Sequence, residues 1–229
     1  MIKAILIDIE GTTSPISFVK EVLFPYSKQK LQTYLKENLD KKHVQTIIQS
    51  IKEEIGRDLS IAEIVNILKD WIDKDQKITP LKELQGLIWE EGFKTGTLKA
   101  PIYKDAYEKM KEWKQKGYKL YIYSSGSTKA QKLFFSHTEY GDILSLFDGH
   151  FDTKIGNKKD PNSYKKISKE IGLKPEEILF LSDNPQEIEA SAKAGMKAIR
   201  IVRKNDATWL EDFAYPQTNS FKHINPQNY

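Results

Sequence analysis

Ile2-Lys3-Ala4-Ile5-Leu6-Ile7-Asp8-Ile9-Glu10-Gly11-Thr12-Thr13 is a short apolar run, rich in branched side chains, that breaks off in acid, glycine and hydroxyl residues. A run of this length, bounded by turn residues, reads as a strand buried on both faces, parallel to its neighbours. Three later runs share its character: Lys119-Leu120-Tyr121-Ile122-Tyr123-Ser124, Ile178-Leu179-Phe180-Leu181-Ser182-Asp183 and Lys197-Ala198-Ile199-Arg200-Ile201-Val202. Helical segments lie between them, Lys104 to Lys116, Pro161 to Ile171 and Gln186 to Ala194, each followed by a glycine where a helix C-terminus favours one. Strand alternating with helix predicts an α/β fold, a doubly wound and mostly parallel sheet.

Between the first two strands the pattern changes. Val44, Ile47, Ile48, Ile51 and Ile55 recur at helical spacing, as do Ile61, Ile64, Val65, Leu68 and Ile72. Ser60 with Glu63 fits a capping box, and Thr79-Pro80 fits a helix start. We therefore expect residues 1–15 and 99–229 to form the sheet domain, with 16–98 inserted as a helical cap over the end of the first strand.

Composition narrows the chemistry. The 229 residues contain no cysteine, which removes disulfide scaffolds, thiolate zinc, iron–sulfur clusters and cysteine nucleophiles. No apolar run approaches the ~20 residues of a membrane span. The first apolar stretch meets Asp8 and Glu10 too early for a signal peptide, so a cytosolic protein is expected. The net charge of +4 comes from lysines interspersed with acids, the pattern of solvated helix faces rather than of a nucleic-acid surface. His43, His137, His150 and His223 lack metal-binding spacing, and Trp71, Trp89 and Trp113 read as core.

Ligands of open parallel sheets bind beyond the carboxyl ends of the strands. Those ends carry Asp8 and Glu10, then Ser124 and Ser125, then Asp183, with Lys158 in a loop-like stretch between the last two. Two carboxylates can hold Mg²⁺, which prefers oxygen and keeps several waters. Asp8 can attack phosphorus, Glu10 is set to move protons on the same side of an extended chain, and Gly11 lets the backbone turn sharply. The serines could instead merely cap the following helix, a role compatible with phosphate binding at its N-terminus. Glu187 is a candidate to orient a metal-bound water.

Asp8-x-Glu10-Gly11-Thr12-Thr13, the strand-end hydroxyl, the lone lysine and the late Asp183 resemble the four motifs of the haloacid-dehalogenase-like phosphatases, most of which carry Asp at the second acidic position. Ile16-Ser17-Phe18-Val19-Lys20-Glu21-Val22-Leu23-Phe24-Pro25-Tyr26, Tyr121 to Ser127, Gly141-Asp142, Phe151-Asp152-Thr153 and Gly156-Asn157-Lys158 are similar to segments of the enolase-phosphatases of methionine salvage. The likeness runs nearly end to end. Arg203-Lys204-Asn205-Asp206 departs from that family's Pro-Gly-Asn, and Ser136 stands before His137 in place of glycine, both outside the expected site.

The resemblance implies a bifunctional enzyme that enolises 2,3-diketo-5-methylthiopentyl-1-phosphate and then removes its phosphate. It implies one Mg²⁺ per subunit, held by Asp8, the backbone carbonyl of Glu10, and Asp183. Asp8 would be the nucleophile and Glu10 the acid and base, with Ser124, Ser125 and Lys158 on the substrate. A small phosphorylated diketone is the expected partner of a monomeric chain, with no nucleic acid and no membrane. Another small phosphate ester remains an alternative. A phosphoaspartate receiver module is the third reading, which Glu10 and the helical insert argue against.

Overall fold

β1 (Ala4–Ile7) is buried along its whole length in the computed structural model, which describes residues 1–229. After it come α1 (Phe24–Asn38), α2 (Lys42–Ile55), α3 (Ile61–Asp73) and α4 (Thr79–Lys94). Helix and strand then alternate: α5 (Lys104–Gln115), β2 (Lys119–Tyr123), α6 (Thr128–Ser136), β3 (Gly149–Phe151), α7 (Pro161–Ile171), β4 (Ile178–Ser182), α8 (Pro185–Lys193), β5 (Lys197–Ile201) and β6 (Gln217–Thr218). The chain folds as two units, residues 1–16 with 99–229, and residues 17–98.

The sheet belongs to the first unit. Its order is β3-β2-β1-β4-β5-β6, and every pairing is parallel. The chain steps outward from β1 to β3, then returns to lay β4 on the other side of β1. That reversal makes the tips of β1 and β4, which carry Asp8 and Asp183, the switch point at which ligands of such sheets bind. The two strands absent from the sequence reading are β3 and β6. They lie at the sheet's edges, are three and two residues long, and lack a fully buried apolar run.

Alternation along the strands fills two cores. Ile5, Ile7, Leu120, Ile122, Leu179, Leu181, Ile199 and Ile201 face Met110 and Trp113 of α5 and Phe135 of α6. Ala4, Leu6, Tyr123, Ile178, Phe180 and Ala198 face Tyr164 and Ile167 of α7 and Ile188 of α8. Side chains of Ile, Leu or Phe contribute about 1.5–3 kcal/mol each when fully buried. The sheet is therefore a rigid base, and its strand tips are well fixed.

Residues 17–98 have their own core, with Leu31, Leu35, Val44, Ile51, Ile64, Leu68, Leu84 and Ile88 buried among the four helices. Ser60 and Glu63 form the reciprocal capping box of α3, and Gly56 ends α2 in the left-handed conformation at φ +80°. The segment Phe18–Leu23, before α1, is a π-helical turn that no sequence signal announced. Phe18 and Trp71 are buried, while Trp89 donates its indole N–H to the Leu23 carbonyl at 2.8 Å. No helix of either unit is long and apolar enough to cross a membrane.

Candidate active site

Asp8 follows β1 directly and is 3 % exposed. Its N–H donates to the Leu181 carbonyl at 2.9 Å, so the pairing with β4 runs one residue beyond the strand and fixes the carboxylate's origin. Lys158 Nζ lies 2.6 Å from Asp8 Oδ1 and 2.9 Å from Glu187 Oε2. Burial by itself would lower the lysine's pKa, but the two carboxylates prevail and raise it above the ordinary value. The neighbouring Lys159 is exposed.

Hydroxyl groups pin the loop that presents Lys158. Tyr123 Oη donates to the Gly156 carbonyl at 3.0 Å, Ser163 Oγ to Asn157 at 2.8 Å, and Tyr164 Oη to Lys158 itself at 2.6 Å. Gly156 sits at φ +150°, where an added Cβ would collide with Ser163 Oγ. Neither tyrosine was singled out for this in the sequence. As strand and helix residues they read as core, and only the fold turns their hydroxyls onto the loop.

Ser124, at the tip of β2, is buried and donates to Glu10 Oε2 at 3.2 Å. Burial, followed by the charge of Asp8, raises the Glu10 carboxyl above its ordinary range. Ser125 is exposed. Capping of α6 falls to neither serine but to Ser127, whose hydroxyl accepts from the Ala130 N–H at 3.2 Å. Ser124 Oγ also accepts from the Gly126 N–H at 3.3 Å, in the turn that leads into α6.

Asp183 stands at the tip of β4. Its N–H donates to Thr12 Oγ1 at 3.1 Å, and its carbonyl accepts from Arg200 Nε at 2.8 Å. Burial, then Asp8, then Glu187, push its carboxyl up to about 7. Glu187 is likewise pushed up to about 7, burial and Asp8 outweighing Lys158. Glu187 Oε2 accepts from Ser182 Oγ at 2.9 Å and pairs with Lys158 Nζ at 2.9 Å.

The donor set suits a hard divalent cation. After burial, the charge of Asp8 raises the cost of ionising Asp183, a crowding that a cation would relieve. Gly11, at φ +70°, has no Cβ, and one built there would stand 2.6 Å from Asp183 Oδ2. No group of three or more His, Cys, Asp or Glu side chains is arranged around a metal position. Two carboxylates completed by a backbone oxygen and water match Mg²⁺, which keeps part of its hydration shell. The Glu10 carboxylate accepts from Ser124 through Oε2.

Residues 2–195 match the haloacid dehalogenase-like hydrolase family. The enolase-phosphatase E1 of Persephonella marina is 65 % identical over 224 residues, covering 98 % of this chain and 99 % of that one. That of Aquifex aeolicus is 63 % identical over 204 residues, 89 % and 92 % of the two chains. Among solved structures, the UTR4 protein of Saccharomyces cerevisiae superposes with a TM-score of 0.85 at 34 % identity, covering 98 % of this chain and all of the other. The strand-tip carboxylates, the buried lysine and these likenesses agree: the chain belongs to the haloacid dehalogenase-like hydrolases and, among them, to the enolase-phosphatases.

Proposed function

We propose that this protein is a Mg²⁺-dependent enolase-phosphatase of methionine salvage. It converts 2,3-diketo-5-methylthiopentyl-1-phosphate into the acireductone 1,2-dihydroxy-3-keto-5-methylthiopentene and phosphate. One observation carries the reading: at the tips of β1 and β4, Lys158 holds the buried Asp8 carboxylate at 2.6 Å, in a chain 65 % identical to a named enolase-phosphatase.

In this reading the core unit carries the chemistry and residues 17–98 take the part of the family's cap. Enolisation comes first and makes the phosphate's bridging oxygen a good leaving group. Asp8 then attacks phosphorus, and the bond from phosphorus to the bridging oxygen breaks, its electron pair leaving with the acireductone. Water next attacks the phosphorus of phospho-Asp8 and gives its proton to Glu10, which regenerates the Asp8 carboxylate and releases phosphate. A carboxyl whose pKa burial has raised is the better proton acceptor near neutral pH. Lys158, fixed by Asp8 and Glu187, offsets the negative charge that spreads over the phosphoryl oxygens. Ser124 and Ser125 bind the phosphate and diketone oxygens. Mg²⁺, held by Asp8, the Glu10 carbonyl and Asp183, would supply further positive charge to the same oxygens. The same reading makes the protein a cytoplasmic monomer.

The test is direct. Incubation with the diketone phosphate and Mg²⁺ should give enol absorbance and inorganic phosphate in sequence, and excess chelator should abolish phosphate release. Turnover of simple phosphate esters with none of the diketone would reject the substrate and leave a different phosphatase of the same family.

A further inference from the structure

The segment that follows β5 touches none of the expected site residues, but it reaches back to the turn that follows them at the end of β1. Arg203 is 6 % exposed, and its Nε and Nη2 both donate to the Thr12 carbonyl, at 3.1 and 2.8 Å. Its Nη1 donates to both Asp105 oxygens, at 3.0 and 2.8 Å. The guanidinium lies 4.2 Å from the centre of the Tyr103 ring and 5.2 Å from that of Phe221. Asp105 in turn accepts from Ser220 Oγ at 2.8 Å and from the Phe221 N–H at 2.7 Å. The arginine is held on every side by groups that are themselves fixed.

Thr12 is where this cluster meets the strand tips. Its carbonyl is the shared acceptor of Arg203, and its hydroxyl accepts from the Asp183 N–H at 3.1 Å. One residue thus links the turn after Asp8 and Glu10 to the backbone of the second carboxylate. Gly11, next in the turn, has the freedom of a residue without Cβ, so an external anchor has something to restrain. We propose that Arg203 is a positioning residue of the phosphoryl-transfer site: by clamping the Thr12 carbonyl with two convergent donors, it holds the turn after β1 and, through the Thr12 hydroxyl, the Asp183 backbone in register with Asp8.

A stabilising ion pair is the competing account. Buried pairs add little net stability over apolar replacements, whereas the fork of a guanidinium supplies geometry that a lysine ammonium does not. The two accounts separate in Arg203→Lys, which keeps the charge and loses the fork. Displacing reacting groups by as little as 1 Å can cost ~10²-fold in rate. Arg203→Lys should therefore lower kcat about 10–100-fold, with KM changed by less than about threefold.

The proposal rests on the phosphatase reading, so a second measurement needs no substrate. Amide hydrogen exchange, followed by NMR, should show Asp183 exchanging about tenfold faster in Arg203→Lys, with Leu120, Ile122 and Phe180 unchanged. Thr12→Val cuts the same path at its other end and should reproduce both effects. The double variant should be no slower than the slower single variant, as expected for groups acting in series. Ile2→Val, in the same core at the far end of β1, should lose stability and show neither effect. Unaltered kcat and unaltered Asp183 exchange in Arg203→Lys, or changes only in proportion to global destabilisation as in Ile2→Val, would overturn the proposal. Failure of the wild type to turn over the diketone would instead overturn the substrate assignment, and the exchange measurement would stand.

Discussion

Lys158 Nζ lies 2.6 Å from Asp8 Oδ1, and both side chains are under a tenth exposed. The same ammonium compensates Glu187 at 2.9 Å, so one cation serves two buried carboxylates. Removing a single partner from a buried ionic group leaves uncompensated charge and typically costs about 3–5 kcal/mol. Lys158→Met should destabilise the protein by that amount in urea unfolding, besides abolishing phosphate release. Asp8→Asn added to Lys158→Met should restore part of the stability while activity stays lost. A Lys158→Met protein as stable as the wild type would mean that the lysine is not the counter-ion of these two groups.

The carboxyls of Asp183 and Glu187 make stability depend on pH. Each is pushed up to about 7 from ordinary values of 3.8 and 4.5. Between about pH 4 and 7 the folded, metal-free protein holds protons that the unfolded chain has released. Their contribution to stability therefore falls as pH rises through that window, and levels off above it. Asp105 works the other way: burial opposes ionisation, but Arg203 prevails and its carboxyl is lowered, so its contribution is lost only at more acid pH. Urea midpoints in chelator should drop less for Asp183→Asn than for the wild type between pH 5 and 8. Mg²⁺ should recover the wild-type midpoint at pH 8. Equal drops in the two proteins would refute the assignment.

Two glycines with positive φ should separate site geometry from general stability. Gly56, at φ +80°, has nothing within 4 Å of a built Cβ. Gly56→Ala should cost about 1 kcal/mol through the left-handed backbone alone, with kcat unchanged. Gly156→Ala adds a collision with Ser163 Oγ in the loop that presents Lys158. It should cost more and lower kcat at least tenfold, since the lysine cannot hold its place while the loop shifts. Similar kcat values for the two variants would show that the loop tolerates displacement.

Much of this site was legible because its residues stand at strand tips. A buried strand announces itself by an unbroken apolar run, and the residue that ends the run is located by the same signal. Asp8, Ser124 and Asp183 are candidates by that signal. Lys158 is a candidate from its place in a loop between strand ends, which no periodicity marks, and the family resemblance is what implies a role for it on the substrate. What stayed hidden depends on groups far apart in sequence. Tyr164 reads as an apolar position of α7, and nothing local tells that its hydroxyl caps the Lys158 carbonyl. Arg203 meets Thr12 across 191 residues, a contact that exists only once β5 has packed beside β4. The edge strands β3 and β6 escaped because short, partly exposed strands carry too few apolar residues to stand out.

Glu10 offers the sharpest test of the chemistry. Once the diketone has enolised, the departing oxygen is that of an acireductone, far more acidic than an ordinary alcohol. Such a group needs little protonation as it leaves, so formation of phospho-Asp8 should tolerate loss of the Glu10 carboxyl. Hydrolysis differs, because water must be deprotonated as it attacks, and a general base is typically worth ~10²–10⁴-fold. Glu10→Gln preserves size and keeps an oxygen to accept from Ser124 Oγ, which donates to Glu10 Oε2 at 3.2 Å in the native site. The backbone carbonyl is untouched, so Mg²⁺ affinity should change little. The variant should release one equivalent of acireductone in a burst and then stall as a phosphoprotein. Quench-flow with excess enol phosphate, followed by peptide mapping, should locate the phosphate on Asp8. Absence of a burst, with both half-reactions slowed alike, would mean that Glu10 acts chiefly as the general acid. Its bond to Ser124 would then serve to aim a proton at the leaving oxygen, not to receive one from water.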